Sequence, residues 1–112
     1  MKYMLLICGD EDMELSQLEQ SEMETSTIAW VGELTTSGVR LHGSQLRPAA
    51  DARTVRVRGG RAVVSDGPYA EAKEQLGGYD VIECADIDEA IEVASKHPVA
   101  KFGTIEVRPF WE

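Results

Sequence analysis

The chain has 112 residues, a length suited to one domain with a hydrophobic core that needs no metal or disulfide to hold it. Hydrophobic residues at 43% and charged residues at 28% fit a soluble globular protein. A formal net charge of −9 argues against nucleic acid, whose phosphates demand Lys and Arg, and against an anionic membrane surface, while leaving room for a cationic, neutral or protein partner.

Residues 3–8 are continuously apolar and read as a strand covered on both faces. The run is too short for a signal-peptide core or a membrane span, so a cytoplasmic protein is expected. It contains Cys8; the other cysteine, Cys84, sits in a second apolar run, and two buried free thiols are favoured over a disulfide. Gly9-Asp10-Glu11-Asp12 is a solvated acidic loop without the ligand spacing of a calcium site. A helix follows, with two possible starts of capping-box form, Ser16-x-x-Glu19 and Ser21-x-x-Glu24. Met23, Thr27, Trp30, Val31 and Leu34 share one face of it, Trp30 as a core or interface anchor, and Gly38 ends it.

A short strand over 39–42 precedes a loop over 43–53. Residues 54–58 alternate, with Val55 and Val57 on one face and Thr54, Arg56 and Arg58 on the other; Gly59-Gly60 turns the chain, and 61–65 return as the partner strand. The Arg-bearing face is a local basic patch in an acidic protein. Beyond the turn-rich segment 66–78, residues 79–84 read as a strand. A second helix opens at Asp86 with Glu89 completing its cap, and Ile87, Ala90, Ile91 and Ala94 form its expected buried face. Lys96 and His97 are expected in its last turn as cations suited to the dipole, with Pro98 as the stop. Residues 104–109 form the last strand.

The order β-α-β, inserted hairpin, β-α-β predicts a single α+β domain over 1–112: a ferredoxin-like sandwich with an antiparallel sheet and two helices on one face. The other sheet face then needs cover, which points to a homodimer packed sheet against sheet.

Chemistry concentrates between Asp66 and Gly78. Gly67 and Pro68 force a turn, and Pro68 is placed to start a short helix with Glu71 in its first turn. Asp66 then has two readings. In one it is a turn or cap residue. In the other, Asp66, Tyr69, Glu71, Lys73 and Gln75 line a small-molecule pocket, with Asp66 also a catalytic candidate. His42, at a strand end before a loop, is the second catalytic candidate or a partly exposed histidine. Neither histidine has metal-ligand spacing, and no dinucleotide fingerprint, phosphate loop or serine nucleophile elbow occurs, so neither metal nor cofactor is expected.

The run Asp66-Gly67-Pro68-Tyr69-Ala70-Glu71-Ala72-Lys73-Glu74-Gln75-Leu76-Gly77-Gly78 resembles the DGPF-domain branch of the YCII-related family, in which Asp-Gly-Pro-Phe precedes Ala-Glu-Thr-Lys-Glu-Gln-Leu-Gly-Gly. The likeness extends to the opening Met1-Lys2-Tyr3-Met4-Leu5-Leu6-Ile7, to Gly43-x-x-Leu46-x-Pro48, to the hairpin and to the closing Gly103-x-Ile105-Glu106-Val107-Arg108-Pro109. It departs at Tyr69, Ala72 and Asp80, the last standing where many relatives carry an aromatic residue. The resemblance implies a dimeric α/β-barrel fold. It implies enzymes with a His/Asp pair in the wider group, to which His42 has no motif-level match. It also implies a second function class, a non-catalytic regulatory or interaction module accompanying extracytoplasmic-function sigma factors.

Overall fold

Strand β1 (Lys2–Asp10) runs through the centre of a four-stranded sheet in the computed structural model, which describes residues 1–70 and 72–112. It pairs antiparallel with β5 (Glu74–Glu83) on one side and with β6 (Thr104–Pro109) on the other. Strand β2 (Arg40–Gln45) closes the far edge beside β5, giving the order β2-β5-β1-β6. Leaving out the hairpin strands β3 (Arg53–Arg58) and β4 (Arg61–Asp66), this is the ferredoxin-like order expected from two β-α-β halves.

Helix α1 (Gln17–Thr36) starts at the first of the two candidate caps. Ser16 Oγ accepts from the Glu19 N–H at 3.1 Å and Glu19 Oε1 accepts from the Ser16 N–H at 3.1 Å, so two orphan donors of the first turn are satisfied reciprocally. Gly38, at φ +82°, takes the left-handed turn after the helix. Met23, Thr27, Trp30, Val31 and Leu34 are the less exposed positions of α1, which is the face the spacing selects.

Helix α2 (Ile87–Ser95) is capped by Asp86, whose carboxylate accepts from the Glu89 N–H at 2.9 Å. Its buried face is rotated from the expected one: Ala90, Val93 and Ala94 face the sheet, while Ile87 and Ile91 are exposed. Small residues at 90 and 94 let the helix lie close to β1 and β6, and larger isoleucines there would hold it off. The core gathers Tyr3, Leu5 and Ile82 from the sheet against Trp30, Cys84, Ala90 and Ala94. Trp30 Nε1 donates to the Val93 carbonyl at 3.2 Å and so joins the two helices. Both cysteines are free, and burial pushes the Cys8 and Cys84 thiols up from their usual range, which keeps them protonated and unreactive. Among the described residues, no helix is long and apolar enough to cross a membrane.

Two expectations change around the motif. Among the described residues of 66–73 no helical turn forms after Pro68. Gln75 instead donates from Nε2 to the Ala70 and Ala72 carbonyls, at 3.3 and 2.6 Å, satisfying them by side chain in place of a helical ladder. The strand expected at 79 begins at Glu74, so Gly77 and Gly78 lie inside β5 and not in a turn. Crowding explains this: a Cβ on Gly78 would stand 3.1 Å from the Ser44 carbonyl oxygen, and the β1–β5 register slips next to Gly77.

Candidate functional site

The side chains brought together by the fold are Arg40, Asp80 and His97, from the edge strand β2, its neighbour β5 and the turn after α2. Asp80 points to the helix-covered side of β5 and is only 4% exposed. A carboxylate there needs a partner, and Arg40 Nε donates to Asp80 Oδ1 at 2.6 Å. The register slip between Arg40 and His42 makes this possible: Arg40 lies opposite Ile82 and Gly43 opposite Asp80, so both fall on the helix side of β2. Gly43 is the space in which the ion pair lies. A Cβ there would overlap Asp80 Oδ1 and stand 2.5 Å from Arg40 Nη2 and 2.7 Å from the Tyr79 carbonyl oxygen. Gly43→Ala is therefore expected to destabilise the fold by about 1–3 kcal/mol, measured by denaturant unfolding, because one of these groups must be displaced.

His97 does not serve as the dipole-capping cation expected from its position. Helix α2 ends at Ser95, and His97 caps the 3-10 turn Pro98–Lys101, its Nδ1 accepting from the Val99 N–H at 3.1 Å. The ring is 5% exposed and packs edge-on against Trp30, centroids 4.6 Å apart. Burial lowers its pKa, with the Asp80 carboxylate pulling the other way, so the ring is neutral where a surface histidine would begin to protonate. With Nδ1 accepting, the neutral ring carries its proton on Nε2. Among the described residues, Asp80 Oδ2 and His97 Nε2 make no protein hydrogen bond, yet neither is sealed from solvent.

Both residues line a cleft of about 920 Å³ between α1 and the sheet. Ile7, Met23, Val31 and Val99 supply apolar wall, while Asp10, Glu11, Glu24 and Gln75 stand among the polar lining. With His97 neutral, four carboxylates face one arginine, so the lining carries a net −3.

The sequence-derived site residues are placed differently. Asp66 is the last residue of β4, and its exposed carboxylate pairs with Arg53 at 3.2 Å across the hairpin base. Tyr69 is exposed and lies under the Arg56 guanidinium, 4.9 Å from ring centroid to Cζ. Lys73 is exposed and reaches Asp10 at 3.8 Å. Glu71 lies outside the described residues. Only Gln75 lines the cleft; with Pro68 it also lines a second hollow of about 570 Å³ against Leu46, Pro48 and Arg53. Asp66, Tyr69 and Lys73 line neither of these two hollows. His42 sits on the opposite, open face of the sheet, 3.0 Å from the Tyr79 hydroxyl. The amino-acid order does not single out Arg40 and marks Asp80 only as a departure from relatives; the one local signal is Asp80 itself, a carboxylate between Tyr79 and the apolar Val81-Ile82 in β5.

A ferredoxin-like α+β chain with a half-open cleft ending on an Arg–Asp–His cluster is the class that fold and geometry define. The chain belongs to the YCII-related family, whose domain it matches over residues 1–112. Among curated proteins it is similar to the uncharacterized protein R00369 of Rhizobium meliloti (strain 1021), with 44% identity over 68 residues. That match covers 59% of this chain and 55% of the relative, so the chain spans about half of that protein's length. Among solved structures it resembles the 5-chloro-2-hydroxyhydroquinone dehydrochlorinase TftG of Burkholderia phenoliruptrix AC1100 in complex with 2,5-dihydroxybenzoquinone. The TM-score is 0.54 at 13% identity, over 100% of this chain and 95% of that one, a likeness of fold.

Proposed function

We propose that the cleft binds a small polar molecule and that His97 hydrogen-bonds or exchanges a proton with it. The observation that carries this reading is the gathering of buried Asp80 and His97, each with an unused polar edge, in one cleft of ligand size. His97 Nε2–H would donate to a ligand oxygen, and Asp80, held by Arg40, would accept from a ligand N–H or O–H. The net −3 lining favours a neutral or cationic ligand over an anion, in keeping with the charge of the whole chain. TftG, with a small hydroxylated ring bound, is a precedent for this fold as the frame of a small-molecule enzyme. In this reading the motif contributes Gln75 to the cleft wall, and Asp66 and Lys73 fasten the segment that carries it.

The test is thermal shift with matched panels of neutral, cationic and anionic small molecules, hydroxylated aromatics and amines included. Neutral or cationic compounds should raise the melting temperature of the wild type and not of His97→Asn. Stabilisation by anions alone, or shifts unchanged in that variant, would sink the reading.

The open sheet face supports a homodimer. Met4, Leu6, Cys8, Tyr79 and Val81 are half-buried there with no helix over them, and Leu76 is exposed beside them. Packing this face against a second copy removes that apolar area from water.

A further inference from the structure

We propose that the β3–β4 hairpin is an arm that lays its apolar face on a second copy of this chain. The hairpin forms a two-stranded sheet of its own, outside the four-stranded one, and every residue from 53 to 66 except Thr54 is exposed. Its register places Val55 opposite Val64 and Val57 opposite Ala62, which puts four apolar side chains on one face. The three valines are 62%, 62% and 61% exposed. The other face carries Arg56, Arg58 and Arg61 around a single valine, Val63, which lies opposite Arg56, with Tyr69 stacked on Arg56. A two-stranded hairpin in water is marginal by itself, and both of its strands are edges, so its persistence calls for a partner surface on the apolar side.

Charge selects that partner. Arg53, Arg56, Arg58 and Arg61 against Asp66 give the hairpin +3, which leaves −12 on the remaining chain. Arg56, Arg58 and Arg61 stand on the face away from Val55, Val57 and Val64, so the net charge acts at range to draw the arm to the acidic body of a second copy and the valine face makes the contact. In a closed twofold pair each arm meets the other body, so every arm is covered and none remains to propagate a chain of contacts. The inference rests on the homodimer reading and adds the contact that would secure it.

The experiment measures mass in solution by light scattering across a dilution series, at low and moderate salt. The proteins compared are the wild type, Val55→Asp/Val64→Asp, the charge reversal Arg56→Glu/Arg58→Glu/Arg61→Glu, and Val81→Asp on the open sheet face. Both arm variants should weaken the dimer by roughly tenfold or more, with the wild-type dimer loosening as salt rises. Hydrogen exchange gives a readout independent of substitution: amides of 53–66 in the wild type should be protected in concentrated protein and lose protection on dilution. A dimer weakened by Val81→Asp but by neither arm variant, or arm amides whose exchange ignores concentration, overturns the arm and leaves the homodimer standing. A monomer at every concentration overturns both.

Discussion

Asp80→Ala is expected to lower the unfolding free energy by about 3–5 kcal/mol, read as a shift of the denaturant midpoint at constant slope. The magnitude comes from what is left behind. Arg40 is mostly buried, its Nε bond to Asp80 spans 2.6 Å, and truncation of Asp80 would leave the guanidinium in the cleft floor without its counter-charge. The double variant Arg40→Met/Asp80→Leu removes both charges and fills similar volume, and it should recover most of that loss. Recovery of stability without recovery of ligand binding would separate the two duties of the pair. A single variant within about 0.5 kcal/mol of wild type would mean that the pair is solvated, and the cleft would lose its polar floor.

Much of the frame around that pair is legible in the amino-acid order. Ser16 and Glu19 announce the start of α1, the spacing from Met23 to Leu34 selects its buried face, and Gly59-Gly60 between alternating runs gives the hairpin. The cluster itself escapes for a physical reason. Strict alternation would put Arg40 and His42 on one face of β2; the slip between them sends Arg40 to the helix side and His42 to the open side. A bulge depends on which residues of a neighbouring strand must be accommodated, and here Asp80 and the absent side chain of Gly43 decide it. His97 escapes differently. Two residues beyond the helix, its ring turns inward to cap the next turn, and only the neighbouring Trp30 and Asp80 reveal that it is a buried neutral histidine. At the start of the motif Asp66–Gly78 the backbone closes the hairpin base: the Gly67 N–H donates to the Ala52 carbonyl at 2.8 Å, and Thr54 Oγ1 donates to the Gly67 carbonyl at 2.9 Å, while Asp66 and Lys73 pair with Arg53 and Asp10. Density of polar residues along a chain measures neither burial nor convergence, and the cleft depends on both.

Those two properties meet in His97, where acid should reveal them. Because burial holds its folded pKa below the ordinary 6.5, the unfolded chain takes up a proton at this residue at pH values where the folded chain refuses it. The stabilisation is therefore complete above pH 6.5 and is lost as the pH falls from there through the folded pKa. His97→Asn keeps an acceptor for the Val99 N–H, since Asn is a good cap, and removes the titrating ring. The variant should show a flatter stability–pH curve over that window, after allowance for the carboxylates that titrate lower. Nuclear magnetic resonance of the imidazole protons should place the wild-type His97 below 6.5. If the cleft carries proton transfer, the same substitution should lower turnover by about 10²–10⁴ while the body's far-ultraviolet dichroism stays unchanged. A His97 that titrates at or above 6.5, or a variant with the wild-type stability–pH slope, would mean that the ring is hydrated. The proton-bearing Nε2 edge would then no longer be a desolvated donor to a ligand, and the case for acid–base chemistry in the cleft would fall with it.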